Sequence, residues 1–137
     1  MVRYVAGLVA IDCIGDASRM SLDNVRCLIV LLAMPGCPAC EDYTPRFERE
    51  VGRWQKFGVP LVYYAPGATI TKKTIPIMIV DATSADPGVQ AFCDLHKVQG
   101  MPTTLLLTHN APPVRIEGSV PDEEIYRLLE SAAYANR

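Results

Sequence analysis

Residues 26–33 read RCLIVLLA, and every position after Arg26 is apolar. A strand with one wet face alternates polar and apolar side chains, whereas an unbroken apolar run needs cover on both faces. Such a strand belongs at the centre of a sheet sandwiched between helices. Pro35 and Gly36 stop the run, and CPAC follows at 37–40. Two thiols therefore stand one helical turn apart at the end of a buried strand. A redox dithiol, half of a zinc site, or a structural pair without chemistry would each fit that placement.

The remaining elements supply the cover. A helix opens at Pro38, whose missing N–H is not needed in a first turn. Tyr43, Phe47, Val51 and Trp54 follow at spacings of four, four and three and make one apolar face, with Trp54 read as core. Glu41 and Asp42 occupy the first turn, where the helix dipole favours acids. Arg46, Arg49 and Arg53 line another face and read as solvated surface. Pro45 removes a hydrogen bond from this helix at a cost of about 3 kcal/mol, so packing must offset it or a kink is wanted.

Strands are expected at 59–64 (VPLVYY), 75–81 (IPIMIVD), 103–108 (TTLLLT) and 114–118 (VRIEG), and a helix over 86–97. The final helix opens with PDEE: Pro121 stands at its start, and Asp122, Glu123 and Glu124 fill the first turn. Ile125, Leu128, Leu129 and Ala132 form its buried stripe. Residues 3–11 read as a strand and 17–24 as a short helix or turn. Strands alternating with helices, closed by a hairpin and a helix, predict an α/β domain with a mixed sheet and helices on both faces.

The 137 residues suit one domain, half of them hydrophobic, with 13 basic against 15 acidic side chains for a net charge of −2. That balance carries no electrostatic footprint for nucleic acid and no basic tail for a membrane surface. The longest apolar runs, 27–34 and 75–80, fall far short of the roughly 18 to 20 residues of a membrane span. The stretch MVRYVAGLVAIDC is ended early by Asp12 and has no clear small-residue cleavage site, so it reads as a strand rather than a secretory leader. Five cysteines in a chain of this size argue against a disulfide framework and for a reducing compartment, the cytoplasm.

Only the thiolate attacks a disulfide. Cys37 falls just before the helix, where free N–H groups and the dipole favour negative charge. Cys40 lies one turn further in and deeper. Cys37 is thus the attacking thiol and Cys40 the resolving one. If the helix end lowered the Cys37 pKa from about 8.5 to about 7, the thiolate fraction at neutral pH would rise roughly 15-fold while nucleophilicity fell roughly fivefold. The net gain is only about threefold, so position matters more than acidity: a good leaving group, with its resolving partner held nearby.

Together with Pro45, five residues after the second cysteine, and with VQGMPTTLLL (98–107), the CPAC segment resembles the thioredoxin superfamily. The resemblance covers about residues 26–57 and 86–135. It implies a thioredoxin-like domain over 1–137, with residues 1–25 an N-terminal strand and short helix and 58–85 an enlarged middle segment. It implies dithiol–disulfide exchange by Cys37 and Cys40 on disulfide-containing protein substrates, without a cofactor. Pro102 would be a cis-proline facing the dithiol and keeping metal away. Met101 would pair through its backbone with an extended substrate, and Gly36 and Pro38 would flank the attacking thiol. Pro45 would be the helix-kinking proline and Gly118 the glycine that ends the last strand. Ala33 and Gly36 stand where aromatic residues are usual, and Leu31 stands where the family buries an aspartate that helps to deprotonate the resolving thiol. Without that acid Cys40 should be sluggish. The Cys-Pro-x-Cys order is closer to glutaredoxins, although no glutathione signature accompanies it, so partnership with a standard thioredoxin reductase does not follow.

Two rivals stand beside this reading. CPAC with CDLH (93–96) would assemble Cys37, Cys40, Cys93 and His96 as a Cys3His zinc site. Alternatively the chain is a non-catalytic interaction module or subunit of a larger assembly, docking through VPLVYYAPG were that segment exposed. Cys13 and Cys27 read as inert apolar residues, and His109 as a solvated turn residue.

Overall fold

The computed structural model describes residues 25–64, 70–85, 87–108 and 111–137. The strand expected at 3–11, the helix or turn at 17–24, Cys13 and His109 lie outside these residues. The elements are β1 (Cys27–Ala33), α1 (Pro38–Lys56), β2 (Leu61–Tyr63), β3 (Ile75–Asp81), α2 (Pro87–Leu95), β4 (Thr103–Thr108), β5 (Val114–Glu117) and α3 (Asp122–Ala135).

The sheet order is β2-β3-β1-β4-β5. β1 runs parallel to β3, with Leu31 opposite Ile79, and antiparallel to β4, with Leu31 opposite Thr104. All seven residues of β1 are buried. Alternation along the strand sends Cys27, Ile29 and Leu31 to one face and Leu28, Val30 and Leu32 to the other. The first face packs against Tyr43, Phe47 and Val51 of α1 and Ile125, Leu128, Leu129 and Ala132 of α3. The second packs against Val89 and Phe92 of α2. This is the mixed α/β sheet with helices on both faces that the unbroken apolar run demands.

Pro45 sits inside α1, and the helix continues past it to Lys56. Tyr43, Phe47 and Val51 are fully buried. At about 2 kcal/mol for each such side chain, their burial exceeds the roughly 3 kcal/mol that an internal proline costs. Packing therefore accounts for the helix running through.

Several expectations shift. Trp54 is only half-buried, because it stands in the last turn of α1, where its cover is the ring of Tyr126 with centroids 5.0 Å apart. The helix expected over 86–97 ends at Leu95, and Lys97 then takes a left-handed φ of 52°. The strand expected at 59–64 forms over Leu61–Tyr63, an edge strand beside β3, flanked by the Pro60 carbonyl accepting from Ile75 and the Tyr64 amide donating to Ile77. Leu61 is buried there, so this part of VPLVYY is sheet rather than open docking surface.

Arg46 and Arg49 are not simply solvated. Arg46 reaches Val120, Ser119 and Asp122 across the fold, and Arg49 also bonds Asp122. Arg53 pairs with the buried Glu50 one turn back.

The packing predicts opposite outcomes for two phenylalanines of one helix region. Phe47→Ala empties a fully buried site and should cost about 3–5 kcal/mol in urea unfolding. Phe57→Ala, at a position 84% exposed, should stay within about 0.5 kcal/mol of the unsubstituted protein.

Candidate active site

β1 delivers its chain end to the site. The amide of Ala82, after β3, donates to the carbonyl of Ala33 at 2.8 Å, fixing the last residue of the strand. Three residues then turn the chain, and Gly36 takes a φ of 73°, a left-handed conformation that favours glycine. The turn places Cys37 as the N-cap of α1, with extended backbone at φ −93° and ψ 112°. Its Sγ accepts a hydrogen bond from the Cys40 N–H at 3.2 Å, the interaction by which cap side chains satisfy a helix's free amides.

Cys37, Cys40 and Ala33 form one small buried cluster, packed on by Met34, Ala39 and Met101. Both cysteines are free thiols. Cys37 is the more accessible, at 6% exposed against 1% for Cys40. Burial, then the hydrogen bond with Cys37, pushes the Cys40 thiol up to about 11. Leu31, two residues before Ala33 on β1, is fully buried in the core that packs against α1.

The opposite wall is the segment before β4. The Met101–Pro102 peptide bond is cis. The Cys37 thiol lies 3.9 Å from the Met101 carbonyl oxygen, while Pro102 is buried. The Pro102 carbonyl accepts from the amide of Gly118, whose φ is 84°. The Thr103 hydroxyl donates to the Gly100 carbonyl at 2.7 Å and tightens the turn. Gly36 and Pro38 are exposed beside Cys37 and Met101 is half-buried. Gly36, Pro38 and Met101, expected around Cys37, thus lie beside it. Pro45 is further along α1, and Gly118 acts at the site through Pro102.

Other features were not anticipated from the sequence. The Tyr43 hydroxyl shares a 2.8 Å hydrogen bond with Thr104 Oγ1, joining α1 to β4 below the site. Thr44, one turn after Cys40, is fully buried, and its hydroxyl has no hydrogen-bond partner among the described residues. Its place four residues beyond a cysteine of the same helix face was the available signal. Asp42, two residues after Cys40, accepts from Ser119 Oγ at 2.5 Å and from Arg46 at 3.0 Å. Those two hydrogen bonds hold its carboxyl below the usual carboxylate range.

The Cys3His zinc set is not assembled. Cys93 packs among the residues that cover the second face of the sheet. The His96 ring lies against Phe92, with centroids 4.5 Å apart, and its carbonyl receives Arg115. Burial raises the Cys93 thiol; burial and then Arg115 lower the His96 imidazole. Among the described residues no three His, Cys, Asp or Glu side chains come together as a metal site. Within CDLH, Cys93 turns onto the sheet and His96 stacks on Phe92 while Asp94 and Leu95 are exposed, which spacing alone does not reveal.

No helix among the described residues is long and apolar enough to cross a membrane. No family model and no curated protein matches the chain. Solved structures do. A thioredoxin of Entamoeba histolytica, in a cysteine-to-serine mutant, is 17% identical with a TM-score of 0.58, over 96% of this chain and 99% of that one. The germline-specific thioredoxin Deadhead of Drosophila melanogaster is 12% identical with a TM-score of 0.58, over 95% and 98%. The J-Trx1 fragment of ERdj5 is 14% identical with a TM-score of 0.53; the match spans 80% of this chain and 44% of that longer one. The chain has the thioredoxin fold.

Proposed function

We propose that the chain is a thiol–disulfide oxidoreductase acting on protein disulfides through Cys37 and Cys40. The observation that carries this reading is the free dithiol at the start of α1. The Cys37 sulfur accepts the Cys40 amide and faces the Met101 carbonyl. In the reducing direction the Cys37 thiolate attacks one sulfur of a substrate disulfide. A Cys37–substrate bond forms, the substrate S–S bond breaks, and one substrate thiolate leaves. Cys40 then loses its proton and attacks the Cys37 sulfur. The intramolecular disulfide forms, the second substrate thiolate leaves, and the substrate has gained two electrons. A dithiol reductant or a reductase must restore the pair, and the reverse sequence oxidises a substrate dithiol. The four free cysteines of the described residues support a reducing compartment such as the cytoplasm.

Met101 is the proposed backbone partner of an extended substrate segment, with Gly36 and Pro38 flanking the attack. A second reading, a thioredoxin-like interaction or assembly subunit with an idle dithiol, is favoured by one observation. Burial, then the hydrogen bond with Cys37, raises Cys40 to about 11, which disfavours the resolving thiolate at neutral pH. Insulin reduction or exchange with glutathione disulfide decides between them. The redox reading expects Cys37→Ser to abolish exchange and Cys40→Ser to accumulate mixed disulfide; equal activity of Cys37→Ser and the unsubstituted protein would leave the assembly reading. The potential of the couple gives the direction, with about −270 mV marking a reductant and about −120 mV an oxidant.

The raised Cys40 thiol also sets a pH dependence. Well below about 11, its thiolate fraction grows about tenfold for each pH unit. Resolution of a preformed Cys37 mixed disulfide should therefore quicken about tenfold per unit between about pH 7 and 9. A flat profile by rapid-quench mass analysis would show that resolution does not wait on a raised thiol.

A further inference from the structure

We propose that Arg46 is a positioning residue for extended substrates: its guanidinium ties the 118–121 loop and the first residue of α3 to the dithiol helix and so steadies the Met101–Pro102 wall against Cys37. The inference rests on the redox reading above. Arg46 Nη1 donates to the Val120 carbonyl at 2.7 Å and to Asp122 Oδ1 at 2.8 Å. Nη2 donates to Ser119 Oγ at 2.8 Å and to Asp42 Oδ2 at 3.0 Å. Two of these four acceptors, Ser119 and Val120, belong to the loop after β5, Asp122 opens α3, and the fourth stands two residues beyond Cys40. Ser119 closes the circuit by donating to the same Asp42 oxygen.

Isolated ion pairs at a surface add little stability. A planar guanidinium whose donors converge on several fixed acceptors instead specifies geometry. The geometry it specifies leads to the site. The loop begins at Gly118, whose amide holds the Pro102 carbonyl at 2.8 Å. Pro102 follows Met101, whose carbonyl meets the Cys37 sulfur. β5 before the loop is a largely exposed edge strand paired only with β4, so the sheet alone anchors this segment on one side.

An extended peptide that pairs with the Met101 backbone needs that wall in register with Cys37. A small disulfide needs only the sulfur. The test compares the unsubstituted protein with Arg46→Gln, Arg46→Lys and Ser119→Ala. Each is assayed on a short extended peptide carrying a disulfide to thionitrobenzoate, and on 2-hydroxyethyl disulfide. For Arg46→Gln, kcat/KM on the peptide should fall about tenfold or more, chiefly through KM, with the small disulfide within about twofold. Arg46→Lys should recover only part of the loss, because an ammonium lacks the planar fork. Ser119→Ala should shift the ratio in the same direction by about threefold, and carries the test should Arg46→Gln fail to fold. A peptide-to-small-disulfide ratio unchanged from that of an active unsubstituted protein would overturn the positioning role alone. An unsubstituted protein inert toward both disulfides would overturn the redox reading and this inference with it.

Discussion

The burial of β1 on both faces is the constraint from which the rest of the molecule follows. A strand with hydrogen-bonded neighbours on both edges and helices over both faces has no freedom to slide. Its carboxyl end is accordingly a fixed point: Ala33 is pinned by the amide of Ala82, and only three residues separate it from the N-cap of α1. The thiols are delivered by the most rigid part of the fold. The helix that carries them is held in turn by Tyr43, Phe47 and Val51, which pack on the same strand. Chemistry that depends on position more than on acidity is well served by such a mount.

The same constraint dictates the electrostatics. A strand closed in on all sides accepts no unpaired charge, and Leu31 offers none. The two thiols then differ for reasons that reach back to sequence. Cys37 caps a helix and receives an amide N–H. Cys40 lies one turn deeper, and burial drives its pKa up. The polar groups beneath them are neutral: the Tyr43–Thr104 pair, already bonded to each other, and the Thr44 hydroxyl.

Legibility in the sequence followed the range of the interaction. The strand of 103–108 and the helix from Pro38 were readable because periodicity and proline chemistry are local. So were the buried stripe of α3 and the position of Cys37 at a helix start. What escaped was set by contacts between distant residues. Arg46 reads as a surface residue on its own helix, and its partners beyond β5 lie 73 to 76 residues away. Trp54 fits the apolar spacing of α1, yet the helix outruns the core that would bury it. β2 begins where β3 begins, with Leu61 opposite Ile75, and no pattern inside VPLVYY encodes that start. CDLH carries the right chemistry for zinc at a sensible spacing, but tertiary packing takes Cys93 to the other side of the sheet and stacks His96 on Phe92.

These features bear on one another in the proposed exchange. A thiolate at a helix start captures a disulfide readily, whereas a resolving thiol raised far above neutrality releases it slowly. A slow second step lengthens the life of the mixed disulfide. During that life the substrate is held by one covalent bond and by whatever contacts the surrounding wall provides. The wall's geometry then has more influence on which substrates complete the cycle than it would in an enzyme that resolves at once. A guanidinium spanning the dithiol helix and the loop behind Pro102 is placed to exert that influence. In the proposed exchange the burial of Cys40 would thus prolong the intermediate, and Arg46 would steady the surface that holds it.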